Sequence, residues 1–214
     1  MDTIDALNTR YACRSFDHRP VEEETILKIL TAATRAPSWA NSQPWEIFVA
    51  TGMPLERLRK AYLANYKKSE PRNPDIAAPQ QWPPAMKQRI DESFKPRTSM
   101  PEEMREKLNE RNFLLFDAPV IVYICLDRAA PSWSLFDLGS LAQSIMLAAV
   151  DFDLQSIPAI MLVTYPDLIR AELKIPDNYL IAIGIAIGYS NPREKTPSRS
   201  IRRPLEEAVT LIGF

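Results

Sequence analysis

Residues 10–45 decide the fold of this chain and read RYACRSFDHRPVEEETILKILTAATRAPSWANSQPW. Arg10 and Arg14 open the stretch at positions i and i+4. If residues 3–10 form a short helix, both guanidinium groups leave its C-terminal end on similar sides and can converge on one anion. The planar fork of arginine gives phosphate paired, charge-assisted hydrogen bonds. The alternative is that these arginines only complement the negative end of the helix dipole.

A loop of small polar residues follows the helix that the sequence predicts over residues 22–35. That helix has glutamates in its first turn and apolar residues at i, i+3, i+4 and i+7, and Pro37 ends it. Ser38, Asn41 and Gln43 offer neutral donors and acceptors, which suit the N–H and C=O edges of a flat heterocycle. Such clusters are also typical of a simple turn. A phosphate clamp beside an amide-rich loop suggests a phosphorylated cofactor that carries a ring.

The stretch resembles the N-terminal signature of the FMN-dependent nitroreductase family, which opens R-R-S-x-R and reaches A-P-S-x-x-N-x-Q-P-W after a helix. The matching residues are Arg10, Arg14, Ala36, Pro37, Ser38, Asn41, Gln43, Pro44 and Trp45. The resemblance continues through Phe116-Asp117-Ala118-Pro119, Asp137-x-Gly139-x-x-x-Gln143 and Ser200-x-Arg202-Arg203-Pro204-Leu205. Tyr11 departs from the family, since a second arginine is usual there. Ala12 replaces a serine that commonly contacts the cofactor, although its backbone N–H can still serve.

The resemblance implies an α+β fold, with a mainly antiparallel central sheet flanked by helices, in an intertwined homodimer. It implies an FMN-dependent oxidoreductase that uses NAD(P)H to reduce a small aromatic electron acceptor, a nitroaromatic or a quinone, by a ping-pong mechanism. Two alternatives stay open. One is other flavin chemistry on the same scaffold, such as reductive dehalogenation or flavin fragmentation. The other is a flavin-binding protein with little turnover.

The resemblance also implies which residues hold the cofactor, and it leaves the chemistry to FMN rather than to a catalytic side chain. In the family, the basic residue before the closing x-P-L motif reaches the phosphate. Arg202 occupies that position here, although Arg199 or Arg203 can substitute. A short loop places a backbone amide near flavin N5, and because proline has no N–H the donor should be Ala159 or a neighbour. Trp39 flanks the ring or the substrate, or packs in the core. The full set is Arg10, Ala12, Arg14, Pro37, Ser38, Trp39, Asn41, Gln43, Pro158, Ala159, Ser200 and Arg202.

Length and composition predict one ordinary globular domain over residues 1–214. The net charge of −1 gives no general attraction to nucleic acid. The longest apolar runs, at 120–126 and 180–187, are too short to span a membrane. The N-terminus lacks the layout of a signal peptide, and the two cysteines fit a reducing compartment, so we expect a cytoplasmic protein.

The sequence offers little equipment for other kinds of chemistry. It has five glycines and neither a G-x-G-x-x-G nor a P-loop motif, which argues against a dinucleotide or nucleotide cradle of that type. Its one histidine, His18, and two distant cysteines, Cys13 and Cys125, cannot build a Cys/His zinc site. We therefore expect reactivity to belong to a cofactor and interpret Cys13 and His18 as structural.

Three further segments carry expectations that a structure can test. Residues 67–101 hold seven of the 19 prolines, which argues against a continuous helix and predicts an excursion from the core, either a linker or a lid over a ligand site. Residues 134–151 predict a buried helix whose small residues, such as Gly139, allow close packing in the core or at a subunit interface. Residues 190–214 form a basic, proline-broken arm with an apolar end, which suits wrapping around a partner subunit.

Periodicity predicts the remaining elements. Strands are expected at 45–51, 120–126 and 180–189, and helices at 54–66, 101–115 and 166–173. Residues 153–163 fit either a strand or a turn with a helix.

Overall fold

An antiparallel sheet lies at the centre of the computed structural model, which describes residues 2–194 and 200–213. Within these residues the sheet has four strands, β1 (Trp45–Thr51), β2 (Val120–Asp127), β3 (Gln155–Ala159) and β4 (Tyr179–Gly188). The helices around it are α1 (Thr3–Thr9), α2 (Glu23–Ala33), α3 (Gly52–Lys67), α4 (Pro84–Thr98), α5 (Glu102–Phe113), α6 (Ser134–Val150) and α7 (Pro166–Leu173). The strands predicted at 45–51, 120–126 and 180–189 are confirmed, as is the helix at 166–173.

Strands β2 and β4 occupy the middle of the sheet order β1-β2-β4-β3. All of β2 except its last residue, Asp127, is buried, because helices cover both faces of this β-branched, apolar run. Alternation along β2 sends Val122 and Ile124 toward α2 and α6, and Ile121 and Tyr123 toward α3, α5 and α7. This layering is the α+β arrangement that the sequence predicts.

The proline-rich excursion contains a helix that its composition did not predict. Helix α4 spans 15 residues, with Pro84 in its first turn, where a missing N–H costs nothing, and Pro96 near its end. None of its residues is buried. The segment before it is tied to the core where the Asn73 N–H donates to the Thr164 C=O at 3.1 Å. As the prolines predict, no continuous helix runs through residues 67–101, although α4 forms within them. The role of this excursion as a linker or a lid stays a prediction.

Helix α6 is buried on one side and open on the other. Ala142 packs in the core that α6 shares with α2, whereas a Cβ added at Gly139 would meet no atom within 4 Å. Phe136 is 70% exposed, and Trp133, just before the helix, is 69% exposed. A helix that is apolar nearly all round therefore has an uncovered apolar stripe in this single chain, opposite the buried side that the sequence predicts.

The C-terminal arm has no buried residue between positions 200 and 213. Its apolar side chains, among them Ile201 and Ile212, face solvent in the single chain. Across the described residues, no helix combines the length and the apolar character needed to cross a bilayer.

Candidate functional site

The N-terminal segment carries the two predicted arginines along the outer edge of the sheet. Helix α1 ends at Thr9, and Arg10 already has an extended backbone, so the two arginines are not one helical turn apart. Ala12 instead forms a parallel bridge with Ser156 of β3, and the Cys13 N–H donates to the Ser156 C=O at 3.1 Å. In an extended chain, residues two apart share a side, which brings Arg10, Ala12 and Arg14 together for a different reason from the one that the spacing suggests.

This bridge also decides which backbone groups of the segment are free. A parallel bridge at Ala12 uses the groups of its two neighbours, so the N–H of Ala12 itself points away from β3. The segment runs in the same direction as β3 and carries Arg14 toward Pro158. This direction of the Ala12 N–H is compatible with the expectation that it can serve in place of the missing serine hydroxyl.

At the end of β3, the ladder also decides which backbone N–H groups point outward. The C=O of Ser156 points outward, because it accepts from Cys13, and Pro158 has no N–H. Ser156 and Pro158 are therefore the residues of β3 that do not exchange hydrogen bonds with β4. Ala159, next in the alternation, therefore directs its N–H into the sheet toward its partner, Gly184. The first amide to face outward beyond Pro158 is that of Ile160, where a 3₁₀ turn begins. The neighbour of Ala159 is thus the better donor candidate.

A left-handed turn anchors the segment beyond Arg14. Leu115, Phe116 and Asp117 all have positive φ angles, and the Phe116 C=O accepts from the Phe16 N–H at 3.3 Å. Arg59 holds the turn by donating to the carbonyls on either side of it, those of residues 114 and 118, at 2.9 and 2.7 Å. Three consecutive left-handed residues are costly without such support.

Gly188 lets the segment approach the sheet. A Cβ at this position would lie 2.6 Å from Pro119 Cδ and 3.1 Å from Phe16 Cδ1. The adjacent residue, Tyr189, accepts at its C=O from the Asp17 N–H at 2.8 Å. The glycine is required by close packing rather than by its backbone angles.

The polar loop after α2 is a tight, strained turn. Ala40, Asn41 and Gln43 have φ angles of 47°, 59° and 45°, a region that costs non-glycine residues of order 1 kcal/mol each. The Gln43 N–H donates to Ser38 Oγ at 2.9 Å, so this hydroxyl is already engaged within the loop. Such strain persists only where surrounding contacts enforce it, which makes the loop a credible binding element.

Trp39 fixes where this loop lies. Its backbone N–H donates to Asp137 Oδ2 on α6 at 3.2 Å, and its ring lies 6.5 Å from that of Trp133. The side chain is 72% exposed, so the alternative of core packing is wrong. Trp39, Trp133 and Phe136 form an exposed aromatic patch at the start of α6.

The predicted site residues therefore fall into separate groups in one chain. Arg10, Ala12 and Arg14 lie along β3 beside Pro158 and Ala159, whereas the loop with Pro37, Ser38, Trp39, Asn41 and Gln43 is supported by the start of α6. In the arm, Arg202 donates to the Ser200 C=O at 2.9 Å, and Arg203 to the Glu207 C=O at 3.2 Å. Arg199, the other alternative for the phosphate, lies outside the described residues.

The electrostatics favour an anion near Arg14 and offer no activated thiol. Desolvation lowers the pKa of Arg14, and the positive charge of Arg97 lowers it further. Burial raises the pKa of the Cys13 thiol, and it raises that of Cys125 to about 12. Both thiols are therefore protonated near neutral pH, as structural cysteines are. Among the described residues, no His, Cys, Asp or Glu cluster could hold a metal ion.

Sequence reasoning missed both Ile160 and Arg97, but only Ile160 could have been identified from the sequence. A proline has no N–H, so Pro158 is expected at a position whose backbone does not donate to the neighbouring strand. Backbone direction alternates along a strand, so the next residue with an outward N–H is Ile160, two positions on. Nothing in the sequence pattern singles out Arg97, which lies in a polar, proline-rich segment far from the N-terminal motif.

Comparison with known proteins finds relatives that align with this chain over nearly the whole length of both proteins. A model of the Nitroreductase family matches residues 7–189. The nitrobenzene nitroreductase of Ectopseudomonas oleovorans is 31% identical over 219 aligned positions, covering 97% of this chain and 96% of that protein. The 4-nitrobenzoate reductase of Pseudomonas putida is 28% identical, covering 100% of this chain and 96% of the relative. The crystal structure of the FMN and NADPH-dependent nitroreductase NfnB from Sphigopyxis sp. strain HMH matches with a TM-score of 0.90 at 27% identity, over 100% of both chains. The chain belongs to the nitroreductase family.

Proposed function

We propose that this protein is an FMN-dependent oxidoreductase that takes electrons from NAD(P)H and reduces nitroaromatic or quinone-type acceptors. The observation that carries the proposal is the edge beside β3. There, Arg10 and Arg14 flank Ala12, whose bridge to Ser156 leaves its own N–H pointing away from β3, and a 3₁₀ turn begins at Ile160 just after β3. Cations suit the phosphate of FMN, and backbone donors suit the acceptor atoms of its ring, so this donor set fits the cofactor. Full-length relatives that bear nitroreductase names support the proposal.

FMN, when bound, supplies the hydride and electron chemistry, and the protein binds and orients it. We assign Arg10 and Arg14 to the phosphate, with Arg202 from the arm as a third cation. Ser38, Asn41 and Gln43 would contact the polar edges of the ring, and Trp39 would lie against the ring or the acceptor. Because the Ser38 hydroxyl already accepts from Gln43 within the loop, its own proton is the part left for a ligand.

The site would be completed by a second copy of the chain, in an intertwined homodimer. Arg10–Arg14 and the polar loop rest on different parts of one chain, so a partner can bring its loop to the edge beside β3. The exposed aromatic patch, the open stripe at Gly139 and the apolar arm would then be covered. Burial of about 25 cal/mol per Å² of apolar surface is the driving force for such an assembly.

The acceptor would bind next to the excursion of residues 67–101, and this excursion would act as a lid over it. Trp82, Met86 and Phe94 line a shallow cavity of about 320 Å³ on the surface of α4. Aromatic and sulfur-containing side chains suit a flat, electron-poor acceptor. The chain has no dinucleotide motif, so the nicotinamide and the acceptor would use the same opening in turn, which gives ping-pong kinetics. We expect the protein to work in the cytoplasm, without nucleic acid or membrane partners.

The purified protein tests this directly. It should be yellow, release FMN on heating, and lose its visible absorption when NADH or NADPH is added without oxygen. Steady-state rates with a nitroarene should give parallel double-reciprocal lines. Released FAD, or no flavin after reconstitution, would exclude the proposed cofactor, and intersecting lines would exclude the shared opening.

A further inference from the structure

The short turn after β3 is held in place by the sheet and by a buried tyrosine. This turn, Ile160–Val163, begins with the residue whose amide the ladder identifies as the donor candidate. On β4, a Cβ added at Gly184 would lie 2.6 Å from Leu162 Cβ, so the turn rests directly on the backbone of the strand. The sheet therefore fixes how close the turn can come.

The hydroxyl of Tyr62 is the second restraint on the turn. Tyr62 is fully buried on α3, and its hydroxyl donates to the Leu162 C=O at 2.8 Å. The same oxygen accepts a longer bond of 3.5 Å from the Tyr165 N–H, so one hydroxyl connects the turn to the chain just after it. Burial raises the pKa of Tyr62 well above its ordinary value, so the hydroxyl keeps the proton that it donates.

The chain after the turn has other attachments that do not need Tyr62. The Thr164 C=O accepts from the Asn73 N–H at 3.1 Å, and the Tyr165 hydroxyl donates to the Glu70 C=O at 3.4 Å. These bonds hold the chain beyond the turn whether or not Tyr62 carries its hydroxyl. Loss of that hydroxyl should therefore loosen the turn and leave the segment after it in place.

A second buried tyrosine lies nearby without touching the turn through its hydroxyl. Tyr123 on β2 belongs to the same core cluster as Tyr62, and its Cε1 would lie 3.4 Å from a Cβ at Gly184. Its hydroxyl is buried but has no hydrogen-bond partner within residues 2–194 and 200–213. Replacing either tyrosine with phenylalanine removes one buried oxygen, so Tyr123 is the matched control for Tyr62.

We propose that Tyr62 is a positioning residue for the flavin, and that its hydroxyl holds the Ile160–Val163 turn with the Ile160 N–H directed at flavin N5. The inference rests on the proposed function, which assigns FMN to the edge beside β3. Oxidised N5 is a hydrogen-bond acceptor, and a hydrogen bond weakens steeply when its donor turns away. A turn that is free to move therefore loses this bond.

The first experiment compares FMN with 5-deaza-FMN, which has a C–H group in place of N5 and cannot accept the bond. Affinities are measured by fluorescence quenching in flavin-free wild type, Tyr62→Phe and Tyr123→Phe. Wild type and Tyr123→Phe should bind FMN about three- to tenfold more tightly than 5-deaza-FMN, and Tyr62→Phe should bind both about equally. If Tyr62→Phe weakens both flavins alike and keeps the ratio, or if the wild type does not prefer FMN, the assignment is wrong.

The second experiment measures the midpoint potential of FMN bound to the holoenzyme. A donor at N5 stabilises the oxidised flavin, because reduced N5 carries a hydrogen of its own, so losing the donor should raise the potential. A three- to tenfold loss corresponds to about 15–30 mV for a two-electron couple. Tyr62→Phe should show this rise and Tyr123→Phe should not, and equal potentials in all three proteins would contradict the proposal. If Tyr62→Phe does not fold, Gly184→Ala replaces it, because its Cβ displaces the same turn from the sheet.

Hydrogen exchange separates this inference from the proposed function. If the wild type binds FMN but Tyr62→Phe changes neither the ratio nor the potential, the inference fails and the proposed function stands. If the wild type binds no flavin, the proposed function fails, and exchange in the protein alone still tests the hold on the turn. The amides of residues 160–165 should then exchange about tenfold faster in Tyr62→Phe than in wild type and Tyr123→Phe. Equal exchange in all three proteins would overturn the role of Tyr62 itself.

Discussion

Replacing Asp75 with asparagine should destabilise the fold by about 2–3 kcal/mol at neutral pH. Asp75 ties the start of the excursion to the sheet, since Oδ2 accepts from Arg170 Nη2 at 2.5 Å and from the Ile181 N–H at 2.8 Å. Its side chain and that of Arg170 are only 10% and 11% exposed, so this pair is poorly screened. The pair with Arg128 adds little, because that side chain is 45% exposed. Asparagine keeps one acceptor oxygen but leaves Arg170 without its main counter-charge.

The effect should depend on pH with a defined sign. Burial raises the pKa of Asp75, but hydrogen bonds from Arg170 and Ile181 and the charge of Arg170 outweigh it, so the pKa lies below its usual value. A carboxyl group with a depressed pKa contributes its full stability above the unfolded-state pKa of about 3.9 and loses it as the pH falls through the folded-state pKa. The difference between wild type and Asp75→Asn should be constant from pH 8 to 5 and shrink below about pH 4.

Urea unfolding of apo-protein, followed by circular dichroism at one protein concentration, measures this difference at each pH. Asp177→Asn is the matched control, since Asp177 also approaches Arg170, at 3.9 Å, but is fully exposed. It should change the free energy of unfolding by less than about 0.5 kcal/mol. An Asp75→Asn protein as stable as the control at pH 7, or a difference that grows in acid, would refute the reasoning.

Two substitutions and one deletion test other parts of the structure. Gly188→Ala should lower stability by about 1–3 kcal/mol in urea unfolding, because its Cβ would overlap Pro119, and an unchanged Tm would show that this contact relaxes freely. Cys13→Ser should retain most of the NAD(P)H-dependent turnover, since the raised pKa keeps this thiol protonated; lost turnover with FMN still bound would mean that the thiol takes part in the chemistry. Deleting residues 204–214 should yield a protein that is no longer a dimer by light scattering and no longer holds flavin by visible absorbance. A deletion variant that is still a yellow dimer would contradict the role proposed for the arm.

Much of the fold could be predicted from local pattern. The strand at 45–51 and the helix at 166–173 have the bounds that their apolar periods and flanking prolines predict. Helix α4 could not be predicted, because its proline content argues against helix and no buried stripe marks it. Its Pro84 and Pro96 lie near the two ends, where the helix tolerates them.

The candidate site was only partly predictable, because its geometry depends on long-range pairing. The arginines share a side through the bridge between Ala12 and Ser156, which are far apart in sequence, and not through a helical repeat. Likewise, the ladder with Gly184 decides that the Ala159 amide faces inward. Motifs identified the residue types, but the direction of each backbone group required the sheet.

The proline in β3 has a consequence for the solubility of the protein. An exposed sheet edge is a template on which another chain can add a strand, which is the first step toward aggregation. Here the outward carbonyl of Ser156 is already occupied by Cys13, and Pro158 offers no donor to an incoming strand. Continuous sheet growth through the β3 edge is therefore blocked. A proline inside β3 thus closes this edge of the sheet to another polypeptide strand without interrupting the pairing of β3 with β4.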